Sequence, residues 1–469
     1  MKYIVLLIVL PLLFAFLSML VKSHKDKLLY LGVIVNVALL FLIEQGEYMI
    51  GGFSKPFGIS LVLDQYSMVA VVLINVLFLF TIFSHYQSTK KYSTVLLTLL
   101  AGVNGLLLTG DLFNLFVFLE ITSISAYILT TQSKKYYDTF HYIIIGSIGS
   151  GLYLLGVILL YGQFGNLNLS VIAEQLNHSA NVMLPLLLIF VGLAVETKLF
   201  PMNGWVKNVY KNANGLVGSI MASIIASTIL FTFGRIINAV YIDTFFYNMI
   251  IVIAVVTLIT GELAAFNGKT MKEILLYSSI GQGGMVTLLM ITGFIFPAVL
   301  IIINNGISKL VMFSIADNLS KEDESLDKLK GKFHNHKTLG IAFTVASFSL
   351  IGLPLFLGFY AKVNTIIGLF DVNLLLPAII LIITIVEGAY LMKLNILLWH
   401  PGNEGDAVMP YEDEKRTSYS MSMILLMCIL SLVLFTAGIL PEQYGDTILG
   451  KPLLNDTHTE YLIDMKGGM

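Results

Sequence analysis

Long apolar runs separated by short polar loops make up most of this chain. Their lengths decide what element they form, because a helix needs about 20 apolar residues to cross a bilayer. About fourteen such runs can be drawn, at 2–21, 28–43, 66–84, 93–109, 112–131, 139–162, 182–210, 216–239, 246–267, 272–292, 296–317, 339–369, 374–398 and 420–440. They stay apolar through whole windows, whereas barrel strands would alternate. The pattern predicts an all-α polytopic membrane protein. Runs 182–210 and 339–369 are too long for one straight crossing, and each contains a proline, Pro201 and Pro354. Proline removes a helical hydrogen bond and clashes with the preceding turn. Both runs are therefore expected to be broken helices, a feature that recurs at transporter ion sites.

The loops sort by charge. With fourteen spans, Lys22, Lys25, Lys27, Lys90, Lys91, Lys134, Lys135, Lys207, Lys211, Lys269, Lys272, Lys328, Lys330, Lys332, Lys415 and Arg416 fall on one side. The positive-inside rule makes that side cytoplasmic and puts both termini outside. The first run lacks a small-residue cleavage site and reads as a retained helix, in an inner cell membrane. The expected organisation is N-terminal helices at 1–92, one block at 93–239, a second at 246–398, and a connector, last helix and tail at 399–469.

Composition narrows the function. The 469 residues are 57% hydrophobic and 12% charged, and that charged share is about half that of a soluble domain. Mean hydropathy is +0.86. Cys428 is the only cysteine, so neither a disulfide within the chain nor a cysteine-ligated iron–sulfur cluster fits. No cofactor is expected in this chain. No metal-ligand spacing is evident, and no basic stripe with interleaved aromatics points to nucleic acid. The motif IIGSIGSGLYLLG lies in an apolar run and reads as small-residue helix packing, not a dinucleotide loop.

The informative residues are charges inside apolar runs, which are costly unless paired, neutralised or watered. Asp111 is placed to cap its helix. Glu120 follows about 13 Å further along, too deep for a cap. It fits either a proton carrier or a structural Glu–Lys pair. Glu196 and Lys198 precede Pro201 and are two residues apart, so they do not share a helix face. One of them is expected to face Glu120. Lys309 follows Asn304 and Asn305 by about one turn, on a shared polar strip, and Lys362 lies eight residues beyond Pro354. Glu387 is a further carboxylate for an exit route or a packing link, and Glu262 sits about one turn inside its run. His141, near a helix start, is the only histidine inside an apolar run.

These segments resemble the antiporter-like membrane subunits shared by respiratory complex I, energy-converting membrane-bound hydrogenases and Mrp-type Na+/H+ antiporters. The matching stretches are GDLFNLFVFLE, LFPMNGWV, KEILLYSSIGQGG, NNGISKLVMF and GLPLFLGFYAK, within roughly residues 60–400. The first looks most like the D-type Mrp protein and its hydrogenase counterpart. The resemblance implies fourteen helices with two inverted five-helix repeats, and a hydrated axis of acidic and basic groups that moves H+ or exchanges Na+ for it. Glu120, Lys309 and Lys362 correspond to family positions on that axis. Any redox cofactor would belong to partner subunits in the bilayer.

Three departures stand out. Glu196 occupies the position, five residues before the proline, where the family usually has lysine, and Lys198 occupies one that is often glutamate. The next helix has Ser227 and Thr228 where a central lysine is usual. Asn305 replaces a common histidine. The expected function is a proton-translocating, or Na+/H+-exchanging, subunit of a redox-driven complex. The alternatives are a D-type subunit of a pure Mrp antiporter, a mainly structural subunit and a stand-alone solute transporter.

Overall fold

The computed structural model describes residues 3–400 apart from 54, 56, 57, 177–181, 241, 242, 320–324, 335 and 371, together with 429, 430 and 432–435. The run at 420–440 and Cys428 fall wholly or mostly outside the described residues. The elements are α1 (Leu6–Leu20), α2 (Lys25–Leu39), β1 (Gly46–Ile50), β2 (Ile59–Leu63), α3 (Gln65–Ser84), α4 (Ser93–Leu108), α5 (Leu112–Thr130), α6 (Tyr136–Phe164), α7 (Leu169–Leu176), α8 (Met183–Glu196), α9 (Val206–Asn212), α10 (Gly215–Ala239), α11 (Thr244–Phe266), α12 (Met271–Ile291), α13 (Ile295–Leu319), α14 (Lys337–Ile351), α15 (Leu357–Phe370) and α16 (Leu375–Trp399). Among the described residues, nine helices are long and apolar enough to cross a membrane, and four shorter apolar helices accompany them. The chain is a mostly helical, polytopic membrane protein.

Both long runs are interrupted. In the first, α8 ends at Glu196 and the chain turns before α9. In the second, α14 ends at Ile351, Gly352 adopts φ +83°, and α15 starts at Leu357. Each helix stops a few residues ahead of its proline, because the residue before a proline is pushed out of the helical region. A π-helical turn at Ile220–Ile225 lies inside α10, just before Ser227 and Thr228. The antiparallel β1–β2 hairpin and α7 were not legible in the hydropathy pattern.

Helices α10, α12 and α13 form the centre: 94% of each spanning window is buried, against 39% for α6, α11 and α16. Side-chain contacts gather the lysine loops at one end of the bundle. Lys135 donates to Asn212 at 2.6 Å, Lys207 pairs with Glu273 at 3.7 Å and Lys272 with Asp317 at 2.9 Å. At the opposite end lie the hairpin, Thr109 and Asn168, with the Arg235 guanidinium donating to the Thr109 carbonyl at 3.0 Å.

Two packing devices hold the helices. Gly149 and Gly156 of α6 let α8 approach so closely that added Cβ atoms would lie 2.9 Å from Val195 and 2.6 Å from the Pro185 carbonyl. The small-residue motif thus packs helix on helix. Pro11 leaves the Leu7 carbonyl without its helical donor. Asn104 Nδ2 donates to that carbonyl at 2.9 Å. Asn75 in turn donates to Asn104 at 2.8 Å, and Asn36 to Asn75 at 2.7 Å, tying α1 to α4 together.

Candidate functional site

The first cluster forms where α5 meets the end of α8. Asp111 caps α5 by accepting from the Asn114 amide at 2.7 Å, as its position suggests. Glu120 is only half-buried, not enclosed. It falls in the helical gap of an outward stripe made by Phe113, Val117, Ile124 and Ile128. Among the described residues no hydrogen bond joins it to another group and no lysine pairs with it. Glu196 is the group that comes near. It is buried, and Ser123, one turn past Glu120, donates to its Oε1 at 3.1 Å. The meeting is of acid with acid. Tyr127 and Tyr142 close it with rings 4.6 Å apart, and Trp205 stacks on Tyr142 at 3.9 Å. The buried Trp205 Nε1 and Thr122 hydroxyl have no partner among the described residues.

Lys198 sits in the break with φ +63°, a conformation that costs a non-glycine residue about 1–2 kcal/mol. Strain of this kind collects at functional sites. The turn sends the buried ammonium away from α8 to the Tyr210 hydroxyl of α9, 4.6 Å from the centre of that ring.

The second cluster is denser. The Lys362 ammonium donates to Glu387 Oε2 at 2.6 Å and to the Ile351 carbonyl at 3.1 Å. That carbonyl belongs to the last residue of α14, whose final carbonyls the helix leaves unpaired. The break thus supplies an acceptor for the lysine. Gln282 Nε2 donates to Glu387 Oε1 at 3.0 Å. Glu262 is wholly buried, and its Oε2 accepts from the Tyr390 hydroxyl at 2.7 Å, while Oε1 has no partner among the described residues. Lys309, also wholly buried, donates to Ser278 Oγ at 2.7 Å and to the Leu275 carbonyl at 3.1 Å. Two carboxylates and two ammonium groups are therefore packed around α12, which is narrow enough at Gly281 for Glu262 to lie against its backbone.

The halves touch at the first break. A Cβ on Gly283 of α12 would lie 3.1 Å from the Thr197 carbonyl. Lys198 is near enough to Lys309 for the two to repel. The charges thus form one row: Glu120, Glu196, Lys198, Lys309, Glu262, Glu387, Lys362.

Other candidates fall beside this row. Asn305 lies one turn before Lys309 on α13, but no hydrogen bond joins the two. Its Oδ1 and the neighbouring Ser308 hydroxyl are buried without partners among the described residues, and Asn304 turns to Ser349 near the second break. Ser227 faces Gly306, and Thr228 donates to its own helix at Ile224. His141 is half-buried and stacks on Tyr137 at 6.4 Å. Sequence reasoning did not single out Ser123, Tyr210, Ser278, Gln282 or Tyr390. The one available signal was spacing: Tyr390 lies one turn from Glu387, and Ser278 one turn from Gln282. Among the described residues no group of three acidic, histidine or cysteine side chains is disposed to hold a metal ion.

Known proteins resemble this chain over most of its length. The chain is 27% identical over 450 residues to the N subunit of the NADH-quinone oxidoreductase of Desulforudis audaxviator, covering 88% of this chain and 89% of the relative. It is also 27% identical over 428 residues to the D-type subunit of the Na(+)/H(+) antiporter of Alkalihalophilus pseudofirmus, covering 83% and 86%. A chain of the membrane-bound sulfane sulfur reductase, an archaeal respiratory membrane complex, superposes with a TM-score of 0.86 at 27% identity, over 98% of this chain and 99% of the other. A chain of the Mrp complex of a Dietzia species shares the fold, with a TM-score of 0.84 at 20% identity over 95% and 99%. The family profile described as NADH:quinone oxidoreductase/Mrp antiporter, TM, matches residues 109–387, more than half of the chain. The chain belongs to the NADH:quinone oxidoreductase/Mrp antiporter membrane family.

Proposed function

We propose that this chain carries protons across the membrane as the antiporter-like subunit of a multisubunit, redox-driven complex. The single observation that carries the reading is the row of seven buried or half-buried charges running through both helix breaks. In the second half two bases flank two acids, with Lys362 and Glu387 in contact, and tyrosine and serine hydroxyls bond the others. Such groups pass a proton by changing partners, and each charged group moved through 100 mV exchanges about 2.3 kcal/mol with the membrane potential. Redox chemistry would belong to neighbouring subunits.

A neighbour also accounts for Glu120. A carboxylate on an outward stripe at membrane depth needs a cover with a donor, and a second membrane protein packed on α5 provides one. Na+/H+ exchange is a second reading, favoured by the likeness to a D-type antiporter protein over 83% of the chain.

The test follows pH and radioactive sodium in sealed vesicles holding the intact complex. Glu120→Gln and Lys362→Ala, compared at equal assembly, should both stop proton movement. Sodium uptake that disappears with it favours exchange. Normal transport in both variants would leave the chain a structural subunit.

A further inference from the structure

Lys309 and Glu262 attract each other across α12, yet among the described residues no direct bond joins them. Two hydroxyls lie between. The Lys309 ammonium donates to Ser278 Oγ at 2.7 Å, and the Tyr390 hydroxyl donates to Glu262 Oε2 at 2.7 Å. The Ser278 hydroxyl in turn lies beside that of Tyr390, where it can donate to it. A serine inside a helix commonly donates back to the carbonyl four residues earlier. Ser279 does so, to Leu275 at 3.1 Å. Ser278 makes no such bond among the described residues, so its proton is left for Tyr390.

Helical spacing builds this chain of donors. Ser278 and Gln282 are one turn apart on α12, and Glu387 and Tyr390 are nearly one turn apart on α16. The two faces meet in two rungs. Gln282 donates to Glu387 at 3.0 Å, and one turn nearer the lysine-rich end Ser278 lies beside Tyr390. Glu262 reaches Tyr390 from α11 because Gly281 leaves it room. Lys309, Ser278, Tyr390 and Glu262 are each at most 2% exposed, so the protein itself encloses every link.

We propose that Ser278 and Tyr390 form a hydroxyl wire that carries a proton from Lys309 to Glu262. Resting on the proton-carrying reading above, the wire supplies one step of the row. Lys309 Nζ gives a proton to Ser278 Oγ. The proton that Ser278 held passes to the Tyr390 oxygen, and the one that Tyr390 held passes to Glu262 Oε2. One N–H and two O–H bonds break, and three O–H bonds form. The buried ammonium and carboxylate become a neutral amine and a neutral acid, and each hydroxyl ends with one proton, as it began. Hydrogen bonds in such a chain polarise one another, so the three shifts assist each other. A hydroxyl proton rotates to suit its neighbours. Turning both hydroxyls back toward Glu262 resets the wire for the next proton.

The test follows proton transport by the intact complex in sealed vesicles, with variants compared at equal assembly. Ser278→Ala and Tyr390→Phe each remove one hydroxyl and should slow transport about tenfold or more. Ser278→Thr returns the hydroxyl and should restore most of the rate. Because both groups serve one path, the double variant Ser278→Ala with Tyr390→Phe should be no slower than the slower single one. Transport at the native rate in either single variant overturns the wire. So does a threonine variant no faster than the alanine one, or a double variant whose losses multiply, as two separate packing defects would. The double variant decides alone if the threonine variant fails to assemble. Lys362→Ala runs alongside. If it is inactive while the Ser278 and Tyr390 variants are normal, only the wire falls. If it transports normally, the proton-carrying reading falls with it.

Discussion

The two halves of the molecule treat buried charge differently. Around the second break every ionisable group has a partner of opposite sign or a fixed dipole: Lys362 with Glu387, Lys309 with Ser278, Glu262 with Tyr390. Around the first break Glu196 accepts from Ser123, one turn from Glu120, and Lys198 turns away to an aromatic ring. A closed, paired cluster holds its charges in the ground state. The open cluster leaves Glu120 and the Lys198 ammonium without an ionic partner among the described residues. On the proposed reading the second half is the switch, with a salt bridge to break and remake, and the first half depends on a neighbouring subunit to cover Glu120.

The largest effect should come from breaking the buried ion pair. Lys362→Met leaves Glu387 buried without its cation and should cost about 3–5 kcal/mol along with all proton transport. Adding Glu387→Met should return most of the stability and none of the transport. The thermal unfolding midpoint of the solubilised complex, read beside vesicle transport, checks both. A double variant as unstable as the single one would mean that the pair does not act as a pair.

Next is Glu262→Leu, which strips the acceptor from the buried Tyr390 hydroxyl and should cost about 1–3 kcal/mol. Glu262→Gln should keep the acceptor and the stability but slow transport. Equal transport by the Gln variant and the native protein would remove Glu262 from the row. Ser123→Ala, in the looser cluster, should cost only about 0.5–1.5 kcal/mol and shift the pH dependence of transport by removing the hydroxyl that donates to Glu196. An unchanged pH profile would remove Glu196 from the row. Smallest of all, Asn75→Leu in the asparagine ladder should cost roughly 0.6–1.7 kcal/mol without altering the transport of assembled complex. A transport defect there would extend the functional region into α1–α4.

Much of this was legible in the sequence, for identifiable reasons. The helix breaks were announced by Pro201 and Pro354 inside runs too long for one crossing. Lys309, Lys362 and Glu387 were conspicuous because hydropathy exposes a charge in oil. Which way a helix faces is another matter, since neighbours distant in sequence decide it. Glu120 therefore read as enclosed and is half-open, and Asn305, one turn from Lys309, makes no hydrogen bond to it. Glu262 read as a minor relay near a helix end and is wholly buried. Tyr390, Ser278, Gln282 and Ser123 carry no charge and leave no mark on a hydropathy trace. The glycine that admits Glu262 to the side of α12 is one of many in the chain.

The central claim is that the two clusters work as one line joined at Lys198. Proton movement by vesicles of the assembled complex carrying Lys198→Met tests it most directly, because that change leaves Glu196 and the whole second cluster in place. The account predicts that transport stops although the complex assembles and the Lys362–Glu387 pair is intact. Transport at the native rate would contradict it and make the second half a complete path on its own.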